Sequence, residues 1–251
     1  MMEFEVCCNG FSSVIAAVKA GATRVELCSN MLEGGTTPSL ATIGLSKAYI
    51  DLEGSSTKLH VLIRPRGGDF LYDDDEIMVM KSDIMFIEDA IKPDGFVIGA
   101  LKPDGSIDTD KCRELMAEAP GKSFTFHRAF DMCSDPLKAI DQLAELGFER
   151  ILTSGRCRTA EEGIILLKAL QEHAQGKIKL MAGCGVNEKN IRRIWQQTGI
   201  TAFHFSARRT VKSKMTYRNE EVVMGAEGAD EYNYQVSTAD SIRRIMAQLP
   251  G

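Results

Sequence analysis

The sequence predicts a closed (β/α)₈ barrel, on three observations. Short apolar runs alternate with longer amphipathic segments from end to end, the pattern of parallel strands joined by helices. Eight such units fit into 251 residues, the usual span of a closed barrel, whereas a doubly wound sheet generally has fewer strands. The turn after the first run, "CCNGFSS", also lacks the G-x-G-x-x-G that opens a doubly wound sheet. Pro and Gly are scattered and no linker-like composition intervenes, so residues 1–251 read as one domain.

The elements follow in order. "EFEVCC" (3–8) alternates with period two and precedes the helical pattern "SSVIAAVKAG". "RVELCS" (24–29) precedes "SLATIGLSKAYI", and "KLHVLIRP" (58–65) precedes "DEIMVMKSDIMFIEDAI". The acidic run Asp73 to Glu76 suits the positive end of that third helix. "GFVIGAL" (95–101), "SFTFHRAF" (123–130), "RILTSG" (150–155), "KLMAGCGV" (179–186) and "AFHFSA" (202–207) are each followed by a helical pattern, the last being "TADSIRRIMAQL". Gly21, Gly147 and Gly199 fall where helices should end. Residues 208–237 break the rhythm as a long, mostly irregular insertion, expected to be a lid or an oligomer contact.

A formal charge of −5 and no basic run with interleaved aromatics exclude a protein that neutralises phosphate backbones, so nucleic acid is not an expected partner. No apolar stretch approaches a membrane span, and the N-terminus enters a strand pattern at once without a secretory leader. A cytoplasmic protein is expected. Seven cysteines without C-x-x-C spacing read as reduced thiols rather than disulfides or a structural zinc site.

Working residues of this fold sit at the C-terminal ends of the strands. Alternation turns Glu5 and Cys7, Glu26 and Cys28, His60 and Arg64, Thr125 and His127, and His204 and Ser206 into the lumen. Burying so many polar groups is costly unless they pair with one another or serve a ligand. Cys7 and Cys28 lie on neighbouring strands, close enough to share a soft metal ion if the register brings them level. Two cysteines can equally pack as small hydrophobes.

Seven segments, "VELCSN", "EGGTTPS", "IRPRGGDFLY", "TFHRAFDM", "ILTSG", "MAGCGV" and "YRN", resemble the CutC copper homeostasis family, in the same order and along nearly the whole chain. The resemblance implies a (β/α)₈ barrel, a cytosolic protein and a role in copper handling, with Cu(I) as the ion and Cys7 and Cys28 as its ligands. It assigns no reaction. A homo-oligomer, dimer or tetramer, is a further expectation.

A second reading of the same mouth is an enzyme acting on a small anionic or phosphorylated molecule. Barrels commonly bind phosphate with the loops after strands seven and eight, where Gly183, Gly185, Ser206 and Arg208 stand. Arg66 would add a guanidinium, while Glu26, His127 and Arg64 are the candidate catalytic groups. Arg128 should face the helices unless its strand ends before it.

Overall fold

Period-two apolar runs give eight short parallel strands, which close into a barrel in sequence order, the last pairing back with the first. They are β1 (Glu3–Cys8), β2 (Arg24–Leu27), β3 (Lys58–Leu62), β4 (Gly95–Ile98), β5 (Ser123–Phe126), β6 (Arg150–Thr153), β7 (Lys179–Ala182) and β8 (Ala202–Phe205). The computed structural model describes residues 1–219, 221–222, 224 and 230–250. Each strand is followed by a helix: α1 (Phe11–Ala20), α2 (Leu40–Leu52), α3 (Asp74–Ala90), α4 (Thr109–Ala117), α5 (Pro136–Leu146), α6 (Ile164–Ala174), α7 (Ile191–Thr198) and α8 (Ala239–Met246).

Local chemistry sets the helix ends. Ser39, Asp108, Asp135 and Thr238 accept backbone N–H groups at the starts of α2, α4, α5 and α8. Asp73 and Glu76 form a reciprocal capping box on α3, so the acidic run does the work expected of it. Gly21, Gly147 and Gly199 end α1, α5 and α7 in the left-handed region.

The apolar core lies between barrel and helices. Val6, Cys8, Val25, Leu27, Leu59 and Val61 point outward from the first three strands and are fully buried. The lumen mixes buried charge with a few apolar side chains, Leu62, Val97, Leu152 and Met181. At its floor, Glu5 accepts from Arg24 Nε at 2.5 Å and Arg24 Nη2 donates to Thr125 Oγ1 at 2.6 Å. Arg150 joins Glu3 and Glu149, and Lys179 also holds Glu3.

The insertion at 208–237 is not irregular throughout. Its ends pair as antiparallel strands β9 (Arg208–Lys212) and β10 (Asn233–Ser237), tied back to the barrel by Asn9 Nδ2 donating to the Gln235 carbonyl and Ser237 Oγ donating to the Ser206 carbonyl. Residues 220, 223 and 225–229 of this expected lid lie outside the described residues.

Candidate functional site

Strand register does not bring the two cysteines level. Cys7 sits opposite Glu26 in the β1–β2 ladder, and Cys28 follows the last residue of β2. Cys28 nevertheless continues the pairing, donating its N–H to the Cys8 carbonyl at 3.0 Å, and its thiol leans toward the thiol of Cys7. The two sulfurs are 3.8 Å apart, both residues buried and both free.

A third sulfur completes the cluster. Asn30 takes a positive φ of 49°, turning the chain into the short 3₁₀ helix Met31–Glu33 at the barrel mouth. Met31 Sδ then lies 3.1 Å from Cys28 Sγ and 3.9 Å from Cys7 Sγ. The loop is closed at its base by the Ser29–Thr36 bridge. Arg64 fastens it from β3's side, donating from Nη1 to the carbonyls of Glu33 at 2.7 Å and Gly35 at 2.9 Å, and from Nη2 to that of Gly68 at 2.8 Å. Alternation could not find Met31, because it lies beyond the strand; its position three residues after Cys28 in a turn was the available signal.

Below the sulfurs lies a charged triad. His204 Nδ1 is 2.7 Å from a Glu5 oxygen and its Nε2 is 3.7 Å from Glu26. Although burial works against the charge, the two carboxylates and Cys7 hold the His204 imidazole protonated, well above its ordinary range. Glu5 is held below the usual carboxylate range by Arg24 and His204 despite complete burial. Glu26 is pushed upward by burial and by the charge of Glu5. The Cys7 thiol is raised by its neighbour Cys28 and by burial, and His204 only partly offsets this.

These groups open into a cavity of about 420 Å³. Of the expected residues, Cys7, Cys28, Glu26, Arg64, His127, Gly185, Ser206 and Arg208 line it. Two do not. Arg66 turns outward, where Glu76 and Asp69 take its guanidinium, so it braces α3 and its loop instead of meeting an anion. Gly183 packs beneath the mouth: a Cβ there would lie 2.4 Å from Leu152 and 3.2 Å from His204, so its glycine serves close approach of strands.

Glu26, Arg64 and His127 share the cavity without hydrogen-bonding one another among the described residues. His127 Nδ1 accepts the Ala129 N–H at 3.2 Å while Nε2 is buried without a partner. Burial and the Arg64 charge depress this imidazole to about 3, so it stays neutral. His60, deeper in the lumen, is also lowered to about 3, by burial and Arg24. Because β5 ends at Phe126, Arg128 escapes the alternation and lines the cavity, with Asp131 accepting from its Nε at 2.8 Å. Arg24 and Arg150, inward by the same parity as Glu26 and Leu152, are the lumen charges that the sequence reading passed over.

A profile described as the CutC family matches residues 2–209. The chain belongs to the CutC family. A CutC family protein of Bacteroides thetaiotaomicron is 53% identical over 241 residues, covering 96% of this chain and 95% of its own. The human copper homeostasis protein cutC homolog is 46% identical over 244 residues, covering 97% and 87%. Among solved structures, a CutC from Streptococcus agalactiae superposes with a TM-score of 0.77 at 38% identity, covering 82% of this chain and 99% of its own. A thiamine phosphate pyrophosphorylase from Pyrococcus furiosus shares the barrel at TM-score 0.58 and 15% identity, covering 98% and 95%, a likeness of fold alone. The CutC profile ends at the start of β9, so most of the hairpin and all of α8 lie beyond the matched part.

Proposed function

We propose that this CutC chain handles copper by binding Cu(I) between Cys7 and Cys28. The observation that carries the reading is the pair of buried, unoxidised sulfurs 3.8 Å apart at the catalytic end of the barrel. Soft thiolates select Cu(I), and two can suffice. Both thiols give up protons when the ion binds, and the cationic His204 beside Cys7 offsets the surplus negative charge of a bis-thiolate. Free buried thiols suit a reducing compartment such as the cytosol; among the described residues no helix is long and apolar enough to cross a membrane. Competition against a Cu(I) chelator under reducing, anaerobic conditions tests the reading. Cys7→Ser and Cys28→Ser should bind more weakly, and Cys112→Ser, buried in α4 away from the mouth, should match the parent. Equal affinity in all four proteins defeats it.

A second reading rests on volume. A cavity of about 420 Å³ far exceeds one ion and falls in the range of small-molecule sites. The unpartnered His127 Nε2–H, Arg128 and Arg208 would meet an anionic group, with Glu26 as acid or base. Inorganic phosphate should then raise the melting temperature of the parent and not of Arg208→Gln; equal shifts in both, or none in either, dispose of the anion site.

A further inference from the structure

We propose that Met31 is a third ligand, making the site a trigonal three-sulfur set that takes Cu(I) in preference to zinc. The inference rests on the reading of Cys7 and Cys28 as the copper pair and adds a residue that alternation does not reach.

Three observations carry it. The first is the spacing. Three sulfurs bound to one ion in their plane, each about 2.3 Å away, stand about 4 Å from one another. The distances here are 3.8, 3.9 and 3.1 Å, so a small outward shift of the Met31 side chain from Cys28 makes the triangle nearly regular. Met is unbranched and makes such a shift within its own rotamers.

The second is that the loop carrying Met31 is built to stay in place. Arg64 spends three hydrogen bonds on its carbonyls and on Gly68, and lays its guanidinium 4.9 Å from the Phe70 ring centroid. Gly35 sits with φ +99°, where a Cβ would lie 2.9 Å from Leu62 and 3.6 Å from the Cβ of Cys28. The loop therefore lies directly on the metal-ligand residue, and only glycine permits that approach. A methionine needed merely to cover two thiols would not require a buried arginine to hold its backbone.

The third is that no free fourth donor of the right kind stands at the sulfurs among the described residues. Zinc prefers a closed tetrahedral set with nitrogen or thiolate ligands, whereas a thioether completing a three-coordinate set suits Cu(I). Cys7, Glu26 and His204 do bring donor atoms within 4.8 Å of one another. Both ring nitrogens of His204, however, already face carboxylates, Glu5 at 2.7 Å and Glu26 at 3.7 Å. Recruiting His204 to a metal would break the pair that anchors it, and Glu26, the remaining member of that group, would add a hard oxygen that is absent from zinc's closed structural sets.

The test uses the full chain loaded with Cu(I), read at the copper absorption edge. The parent should show three sulfur neighbours, and chain grown with selenomethionine should show a copper–selenium shell that disappears in Met31→Leu, which is similar in volume. Met31→Leu should keep two sulfurs and lose about tenfold or more in Cu(I) affinity, at least the scale at which even an outer partner of a metal site acts. Its zinc affinity should be unchanged. If selenomethionine gives no copper–selenium shell, or if Met31→Leu binds as the parent does while Cys7→Ser is weakened, Met31 is no ligand and the thiol pair stands alone. If Cys7→Ser and Cys28→Ser also bind as the parent does, the copper reading itself falls, and Met31 with it. The selenium measurement needs no substitution, so poor folding of the leucine variant would not shield the inference.

Discussion

His60 and His127 are buried imidazoles held neutral down to about 3, in a lumen where His204 is held charged. Their depressed values make a pH dependence of definite sign. In the unfolded chain each takes a proton below its ordinary value of 6.5, while the folded protein refuses one until about 3. Acid therefore favours unfolding across that window, and each residue subtracts stability as pH falls. His204 acts oppositely: its contribution is complete below 6.5 and is lost as pH rises through its raised folded value. The comparison that isolates His127 is with His127→Gln. Urea unfolding at pH 7 and pH 5 should show the variant losing less stability than the parent between the two. Equal losses would mean that His127 is protonated in the folded state.

If Cu(I) binds at the three sulfurs as proposed, the element that matters most is the turn after β2. It is short, closed by the Ser29–Thr36 bridge, and clamped by a residue from the end of β3. Arg64→Gln removes the charge-assisted hydrogen bonds to the Glu33 and Gly35 carbonyls without touching a sulfur. It should weaken Cu(I) binding by loosening Met31, while Arg64→Lys, a point donor without the planar fork, should restore only part. Chelator competition on the two variants checks this, and an affinity equal to the parent in both would free the loop from Arg64. At α3, the capping box predicts that Asp73→Ala costs about 1 kcal/mol in urea unfolding and leaves copper affinity unchanged.

Across the whole molecule the barrel divides by depth. Its floor is an ion network of Glu3, Glu5, Arg24, Glu149, Arg150 and Lys179, and its mouth holds the sulfurs and the cavity. Glu5 links the two levels through Arg24 below and His204 above. Glu5→Gln leaves two buried cations short of a counter-charge and should destabilise the fold by about 3–5 kcal/mol in urea unfolding. A loss under about 1 kcal/mol would show that the network is internally redundant. The ring of helices is completed beyond the family-matched part by α8, whose Ile242 and Ile245 are buried. Ile242→Ala should cost about 2–5 kcal/mol with copper affinity retained.

The order of strands and helices, the capped helix ends and the inward face of Glu5, Cys7, Glu26, Cys28, His60 and His204 were legible in the sequence, because period-two alternation and end signals act over a few residues. The same parity places Arg24 and Arg150 in the lumen, where Glu5, Glu3 and Glu149 pair with them. What alternation cannot carry is a residue reached after the backbone has turned out of the extended conformation. The turn that brings Met31 onto Cys28, the end of β5 that frees Arg128 into the cavity, the outward swing of Arg66 to Glu76 and the packing duty of Gly183 all depend on where loops meet in space. Two cysteines 21 residues apart and out of register became neighbours 3.8 Å apart because Cys28 extends the β1–β2 ladder through its N–H to Cys8, while closure of the barrel through β8 brings His204 to Glu5 beside them. Local sequence sets the faces of the strands; closure of the sheet decides which of those faces touch.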